Sequence, residues 1–327
     1  MLHSARLLLA CLLLLPLCGC GESHSGNSSD GYRIAVVPKG TSHEFWKSVH
    51  AGAARAGEEL GVEVIWQGPL RENDTAGQIQ VVKDMITMGV DAVCLAPNHS
   101  ESLVDVVAEA AENDIPTVIF DSGLGEGAEI VSYVATDNFR GGELAADRLV
   151  EAMGGEGDVV LLRYRAGSES TEQREEGFLA RLAEAHPNVR VLSSDQHGEE
   201  SAASAKEKAN QLLIQYGDEL EGFFAVCEPN ANGTLEALLD RDFAGRIQFM
   251  AFDPSESLIR GMAEGSVAGI VLQDPVSMGY EAVRAAVRAL EGEEVEARIP
   301  TGEYVATPQN MAEARMDELL NPVLFGE

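Results

Sequence analysis

The sequence predicts an α/β protein built from two doubly wound parallel-sheet lobes. From residue 33 onward, short apolar runs alternate with amphipathic helical patterns roughly every 25 to 30 residues, which is typical of parallel sheets covered by helices. Ten such runs are many for one sheet, and a chain of 327 residues has a comfortable length for two domains. The predicted strands are 34–37, 62–66, 92–96, 117–120, 131–135, 159–164, 189–193, 222–227, 247–252 and 269–272.

The first predicted helix shows the helical pattern most fully. Apolar residues recur at helical spacing at positions 45, 49, 53, 56 and 60, so one face of this helix is expected to pack on a sheet. Thr41 and Glu44 have the spacing of a capping box at its start, and Gly61 is expected to end it.

The N-terminal residues predict an exported chain held at a membrane by a lipid. The apolar run 7–17 has eleven residues, whereas a membrane-spanning helix needs about 20. Gly19 precedes Cys20, as a small residue does at the cleavage site of a secreted lipoprotein. We therefore expect a signal peptide over residues 1–19, lipidation of Cys20, a flexible tether over residues 20–32 and a lipid-anchored periplasmic location.

The charge and the cysteine content argue against a nucleic-acid-binding protein and against a disulfide-stabilised one. The formal net charge is −31, from 54 acidic and 23 basic side chains, which disfavours binding to nucleic acid. Only two cysteines, Cys94 and Cys227, fall in the predicted folded body, each within an apolar strand. They are expected to be buried free thiols, because a body of this size needs no disulfide framework.

Candidate binding residues follow from the sheet architecture. In open parallel sheets, ligands bind beyond the carboxyl ends of the strands. The polar segments there contain acids, amides, basic groups and aromatic rings, which suit the hydroxyls and flat C–H faces of a polyhydroxylated ring. These segments are 39–46, 97–98, 121–122, 165–174, 227–230, 253 and 273. The candidates within them are Lys39, His43, Phe45, Trp46, Asp121, Ser122, Arg174, Cys227, Glu228, Asp253 and Gln273.

At these residues the chain resembles the periplasmic ribose/galactose-type sugar-binding proteins, the type I solute receptors of ABC importers. The resemblance extends from about residue 33 to residue 310. Each motif is weak alone, but together they stand in the family's order. They are Ile34-Ala35-Val36-Val37 with Phe45-Trp46, Ile115-Pro116 before Asp121, Ala135-Thr136-Asp137-Asn138 with Gly141-Gly142, Arg174-Glu175-Glu176-Gly177-Phe178, Phe252-Asp253, and Gln273-Asp274-Pro275 with Met278-Gly279.

The resemblance implies the type I periplasmic binding protein fold, in which a three-strand hinge joins the two lobes. It places the N-terminal lobe at residues 33–136 plus 274–302 and the C-terminal lobe at 137–273 plus 303–320. The implied hinge residues are Thr136, Asp137, Gln273, Asp274, Gly302 and Glu303.

The resemblance also implies roles for individual residues. Phe45 and Trp46 would flank a sugar ring, and the hydroxyls would be bound by Asp121, Arg174, Asp253 and Gln273.

The sequence departs from the ribose receptor's pattern at four places. Lys39 and His43 stand where that receptor has serine and asparagine, Ser122 replaces an arginine, and Cys227-Glu228 replaces an asparagine-aspartate pair. The ligand is therefore not expected to be held as ribose is. The basic groups near the first strand leave open a ligand with a carboxylate or phosphate, such as a uronate.

Structural explanations for several candidates also stay open. Phe45 fits the apolar stripe of its helix, and Arg174 lies in an acidic run that could be a solvated helix face. Asp253 precedes Pro254, an arrangement that suits a helix N-cap. Asp121 and Gln273 could cap turns at the strand ends.

We expect neither a metal nor a cofactor. His43, Glu44 and His50 lack the zinc-protease spacing, because Lys47 occupies the place of the second histidine. The glycine-rich segment 123–127 follows a strand but precedes another strand, unlike a dinucleotide-binding loop.

The expected function is ligand binding without chemistry, as a monomer that delivers its solute to an inner-membrane ABC permease. A receptor for a sensor kinase or chemoreceptor with the same fold is the alternative. A related repressor is disfavoured by the signal peptide. A hydrolase using Asp121 and Asp253 is disfavoured because the acids would come from opposite, moving lobes.

Overall fold

The computed structural model describes residues 31–322. The predicted signal peptide, the lipidation at Cys20 and nearly all of the tether lie outside the described residues.

Two six-stranded sheets form the framework. The described strands are β1 (Arg33–Val37), β2 (Glu63–Trp66), β3 (Ala92–Leu95), β4 (Thr117–Phe120), β5 (Ser132–Ala135), β6 (Gly157–Arg163), β7 (Val189–His197), β8 (Gly222–Ala225), β9 (Gln248–Phe252), β10 (Gly269–Leu272), β11 (Arg298–Pro300) and β12 (Tyr304–Ala306). The first sheet has the order β11-β5-β4-β3-β1-β2 and the second β12-β10-β9-β8-β6-β7. We call the parts built on these sheets the first and second lobes.

Helices cover both faces of each sheet, as alternating strands and helices require. They are α1 (Glu44–Leu60), α2 (Thr75–Met88), α3 (Val104–Glu112), α4 (Asn138–Met153), α5 (Glu169–Ala185), α6 (Ala202–Tyr216), α7 (Glu228–Asp240), α8 (Glu256–Glu264), α9 (Pro275–Leu290) and α10 (Ala314–Leu320). Within residues 31–322, none of these helices combines the length and apolar character needed to cross a bilayer.

The predicted fold class is confirmed. Each of the ten predicted strands is present with small shifts at its ends, and pairing is parallel except between β10 and β12. The central strands β3, β4, β8 and β10 are buried throughout, which explains their continuous apolar runs. The short β11 and β12 were not predicted, because three-residue strands leave little apolar pattern.

The chain passes between the two sheets three times, from β5 through α4 to β6, from β10 through α9 to β11, and from β11 to β12. Each crossing contains one pair of the predicted hinge residues: Thr136 and Asp137, Gln273 and Asp274, or Gly302 and Glu303. The Oγ1 atoms of Thr136 and Thr301 lie 3.5 Å apart, so two crossings touch. The hinge role and the lobe boundaries remain predictions.

The ends of α1 show one correct and one wrong prediction. Gly61 ends the helix in the left-handed conformation, with φ of 68°, which glycine adopts without steric cost. The capping box is absent: the N-cap residue is His43, without a side-chain capping bond. The Thr41 hydroxyl instead donates to the Pro69 carbonyl at 3.4 Å, because tertiary contact with a neighbouring loop competes with local capping.

Close backbone contact between α4 and α5 holds the second lobe's helical layer in place. A Cβ at Gly142 would lie 2.1 Å from the Arg174 carbonyl oxygen, and one at Gly177 would lie 2.0 Å from that of Phe139. Only glycine permits this approach. The packing explains both glycine motifs and fixes the part of α5 that carries Arg174.

Candidate functional site

Ten of the eleven candidate residues line one cavity between the two lobes. The cavity lies at the carboxyl ends of strands from both sheets, where ligands bind in open parallel sheets. The lining candidates are Lys39, His43, Phe45, Trp46, Asp121, Arg174, Cys227, Glu228, Asp253 and Gln273. Ser122 is buried behind the lining, where its Oγ accepts a hydrogen bond from the Ser170 amide at 3.0 Å.

Asp121 and Asp253 occupy equivalent positions in the two lobes. Asp121 follows β4 and Asp253 follows β9, the third strand in the order of each sheet. Both have left-handed backbone, with φ of 61° and 66°, which costs roughly 1 kcal/mol or more per residue outside glycine. Their amides donate to the adjacent strands, to Val134 and Val271. Strained backbone of this kind concentrates at functional sites.

In the first lobe, Lys39 neutralises Asp121. The Lys39 Nζ lies 2.8 Å from Asp121 Oδ2, and both side chains are buried. The ammonium also donates to the hydroxyls of Ser170 at 2.9 Å and Ser168 at 3.3 Å, which belong to the second lobe. Three acceptors therefore surround the three donors of this ammonium group.

His43 forms an ion pair with Glu72, a residue that the sequence reasoning did not select. The His43 Nδ1 lies 2.8 Å from Glu72 Oε1, and Nε2 lies 3.2 Å from the Glu200 carbonyl oxygen. Burial alone would lower the pKa of His43, but the hydrogen bond and charge of Glu72 raise it to about 9. The imidazolium donates through both nitrogens to the protein.

Glu72 is the matching carboxylate. Burial alone would raise its pKa, but the hydrogen bond and charge of His43 and the charge of Lys39 lower it to about 2. Its Oε1 also accepts from Trp46 Nε1 at 2.7 Å. The pair is therefore ionised throughout the neutral range.

In the second lobe, Arg174 is a buried member of the cavity wall. Its guanidinium donates to Asn138 Oδ1 at 2.9 Å and to the Val226 carbonyl at 3.0 Å, and it lies 3.8 Å from the centre of the Phe252 ring. Only 2% of Arg174 is exposed, so the alternative of a solvated helix face is wrong.

Asp253 links Arg174 to Gln273. Its Oδ2 lies 3.5 Å from Arg174 NH1, and its Oδ1 accepts from Gln273 Nε2 at 2.7 Å. Burial raises the pKa of Asp253, opposed by the charge of Arg174. The alternative of a helix cap is wrong, because α8 is capped by Ser255, whose Oγ accepts from the Leu258 amide.

Glu228 is the carboxylate with the weakest compensation. Its Oε2 accepts from the Phe45 amide at 3.2 Å, and no cation forms an ion pair with it among the described residues. Burial raises its pKa to about 7, against the opposing charge of His43. Adjacent Cys227 is a buried free thiol, as is Cys94, which confirms that prediction.

The aromatic pair belongs to both the core and the cavity. The rings of Phe45 and Trp46 meet edge to face, with centroids 4.9 Å apart. Trp46 packs in the first lobe's apolar core against Phe120. Both rings therefore pack in or against the apolar core of the first lobe, and both also line the cavity.

Five cavity residues are not among the candidates: Glu72, Tyr164, Ser170, Thr171 and Pro229. Ser170, Thr171 and Pro229 lie in the strand-end segments 165–174 and 227–230 that the rule indicates. Tyr164 directly follows β6, whereas the sequence predicts it as the last residue of that strand. Glu72 lies in the segment after β2, a strand end that was not inspected. No group of three His, Cys, Asp or Glu side chains suited to a metal occurs within residues 31–322.

Comparison with known proteins identifies the family. The model of the periplasmic binding protein domain matches residues 34–294. The chain belongs to this family. The ribose import binding protein of Haemophilus influenzae is 28% identical over 87% of this chain and 94% of that protein.

Solved members of the periplasmic binding protein family share the shape as well. A carbohydrate transporter solute-binding protein from Agrobacterium radiobacter, in complex with D-arabinose, is 32% identical and superposes with a TM-score of 0.86 over 90% of this chain and 100% of its own. An ABC transporter solute-binding protein from Agrobacterium vitis with bound D-fucose is 31% identical, with a TM-score of 0.84 over 88% of this chain and 100% of its own. The type I fold and the predicted family resemblance are both confirmed.

Proposed function

We propose that the chain is the solute-binding lipoprotein of an ABC importer, and that it holds a small sugar or sugar derivative between its lobes without altering it. The observation that carries the proposal is the pair Asp121 and Asp253. These carboxylates end equivalent strands of the two lobes, have strained backbone and line the same cavity. The sugars named for the solved relatives, D-arabinose and D-fucose, support a ligand of one ring.

The hydrogen-bonding groups of the cavity favour a neutral sugar over a sugar acid. Each basic side chain at the cavity lies near a carboxylate: Lys39 near Asp121, His43 near Glu72 and Arg174 near Asp253. A ligand carboxylate would compete for cations that are already paired. Sugar hydroxyls can instead donate to the remaining acceptors, among them Gln273 Oε1, which has no partner within residues 31–322.

The same pairing argues against catalysis. A glycosidase needs one protonated and one ionised carboxyl group at a fixed separation. Here both candidate acids lie against cations, and they come from different lobes. A ligand that contacts both lobes favours the closed arrangement and shifts the population toward it.

We place the protein in the periplasm, tethered by a lipid on Cys20, where its closed form presents the solute to an inner-membrane permease. The periplasmic location follows the family, and the lipid follows the N-terminal sequence. Replacing Cys20 with Ala should release the protein from the membrane fraction into the soluble fraction, with the wild-type chain as the control. Retention of the variant on the membrane would contradict lipid anchoring.

The test of ligand binding is native mass spectrometry of freshly purified protein, followed by thermal unfolding with pentoses, hexoses, sugar acids and nucleosides. A ligand that binds only the folded protein raises the melting temperature with concentration, so even a weak ligand is detected. We expect neutral monosaccharides to give the largest increases and to be recovered unchanged. Stabilisation by none of the sugars, or recovery of a cleaved product, would overturn the proposal.

A further inference from the structure

Glu72 connects side chains that come from both lobes. It lies in the segment between β2 and α2 and is 8% exposed. Within the first lobe, its Oε1 accepts from Trp46 Nε1 at 2.7 Å and pairs with His43 Nδ1 at 2.8 Å. Its Oε2 accepts from the hydroxyl of Tyr164 at 2.9 Å.

Tyr164 belongs to the second lobe, where it directly follows β6 and is 2% exposed. The His43 imidazolium makes a second connection, to the Glu200 carbonyl, also in the second lobe. We call His43, Trp46, Glu72 and Tyr164 the Glu72 cluster. Its four side chains line one cavity, and two of its hydrogen bonds cross between the lobes.

The cluster has the chemistry of a contact that favours lobe closure. A hydrogen bond to an ionised carboxylate is stronger than one between neutral groups. Within one lobe, the His43–Glu72 pair and the Trp46 bond can persist when the lobes separate. The Tyr164 bond cannot, because its partners are on different lobes.

We propose that Glu72 is a positioning residue that sets ligand affinity, by fixing Trp46 and His43 at the cavity and by stabilising the closed lobes through Tyr164. This inference rests on the proposed sugar binding with lobe closure.

The test is a double-mutant cycle on the affinity for the strongest-binding monosaccharide of the thermal panel. Glu72→Gln should weaken binding by about tenfold or more, and Tyr164→Phe by about five- to tenfold. Both variants act on the same interlobe bond, because Glu72→Gln removes its charge and Tyr164→Phe removes its hydroxyl. The double variant should therefore bind more tightly than the product of the two single effects predicts. Independent effects that multiply, or single variants within twofold of wild type, would overturn the inference.

A matched control exists within the first lobe. The hydroxyl of Tyr280 donates to Glu59 Oε2 at 2.8 Å, the same pair of groups without a connection between lobes. Glu59→Gln and Tyr280→Phe should leave affinity within twofold of wild type. A loss equal to that of Glu72→Gln would mean that the effect is general and would overturn the inference.

A second readout is independent of ligand and separates positioning from simple packing. NMR titration should give His43 a pKa of about 9 in the wild-type protein. Glu72→Gln should lower this pKa, because the hydrogen bond and charge of Glu72 are lost while burial and the contributions of Glu228 and the Glu200 carbonyl remain. An unchanged His43 pKa would overturn the inference. Failure of every sugar to bind the wild-type protein would instead overturn the proposed function, so the two failures are distinguishable.

Discussion

The two halves of the cavity, one from each lobe, differ in how closely their buried charged side chains are paired. In the first lobe, Lys39 with Asp121 and His43 with Glu72 form short ion pairs of 2.8 Å. In the second lobe, Arg174 NH1 and Asp253 Oδ2 are 3.5 Å apart, and Glu228 accepts a hydrogen bond from the Phe45 amide. The first half is largely neutralised by the protein, whereas the second keeps acceptor capacity that a ligand can use.

This difference predicts separate costs for substitutions in the two halves. When one member of a close buried ion pair is replaced by a neutral residue, its partner is left buried and charged, so the free energy of unfolding falls. A residue with spare hydrogen-bonding capacity should affect ligand affinity more than stability. A buried carboxylate without a cation should even destabilise the ligand-free protein.

The largest expected effect is on stability, from Lys39→Met. The change leaves Asp121 buried without its cation and should lower the free energy of unfolding by about 3 kcal/mol. Urea denaturation of the ligand-free protein measures it. If the free energy of unfolding fell by less than about 1 kcal/mol, the Lys39–Asp121 ion pair would contribute no more than a surface pair, and the argument from burial would be contradicted.

Glu228→Gln should have the opposite sign. Burial raises the pKa of Glu228 from 4.5 to about 7, so the folded state resists the ionised form. The penalty is absent below pH 4.5 and complete above about pH 7. We expect the variant to be more stable than wild type by up to about 3 kcal/mol at pH 8 and nearly equal in stability at pH 4.5. Equal stability at both pH values would show that Glu228 is not penalised by burial.

Asp253→Asn should reduce affinity and cost less stability than Lys39→Met, because Arg174 also donates to Asn138 and to the Val226 carbonyl. Asparagine tolerates the left-handed backbone, but it cannot offer a second charged oxygen to Arg174 and the ligand. Calorimetric titration with a monosaccharide should show binding at least about tenfold weaker, equivalent to about 1.4 kcal/mol. Affinity within twofold of wild type, together with an unaffected Arg174→Ala variant, would remove the second half from the binding site.

The smallest effect is expected from Lys206→Met, which is the matched control for Lys39. Lys206 lies 2.8 Å from Asp240 and 3.2 Å from Glu236 on the surface of the second lobe. Water screens this ion pair, so the urea midpoint and the ligand affinity should stay unchanged. A loss equal to that of Lys39→Met would contradict the argument from burial.

The positions of most cavity residues followed from sequence. Apolar runs mark buried parallel strands, and the polar residues after them must meet at the carboxyl edge of the sheet. This reasoning placed Asp121, Asp253 and Gln273 correctly at the cavity. It failed at Ser122, which lies behind the lining, because a strand-end position does not specify the direction of the side chain.

The sequence by itself determined the fold class, the strands of both sheets and most of the residues at the cavity, because periodicity and strand ends are local features of the chain. Only the tertiary structure decided which charges pair. Glu72 meets His43 and Tyr164 across 29 and 92 positions of sequence, and Thr41 bonds to Pro69 instead of capping its own helix. Such contacts depend on how separate segments pack, and no local pattern encodes that choice.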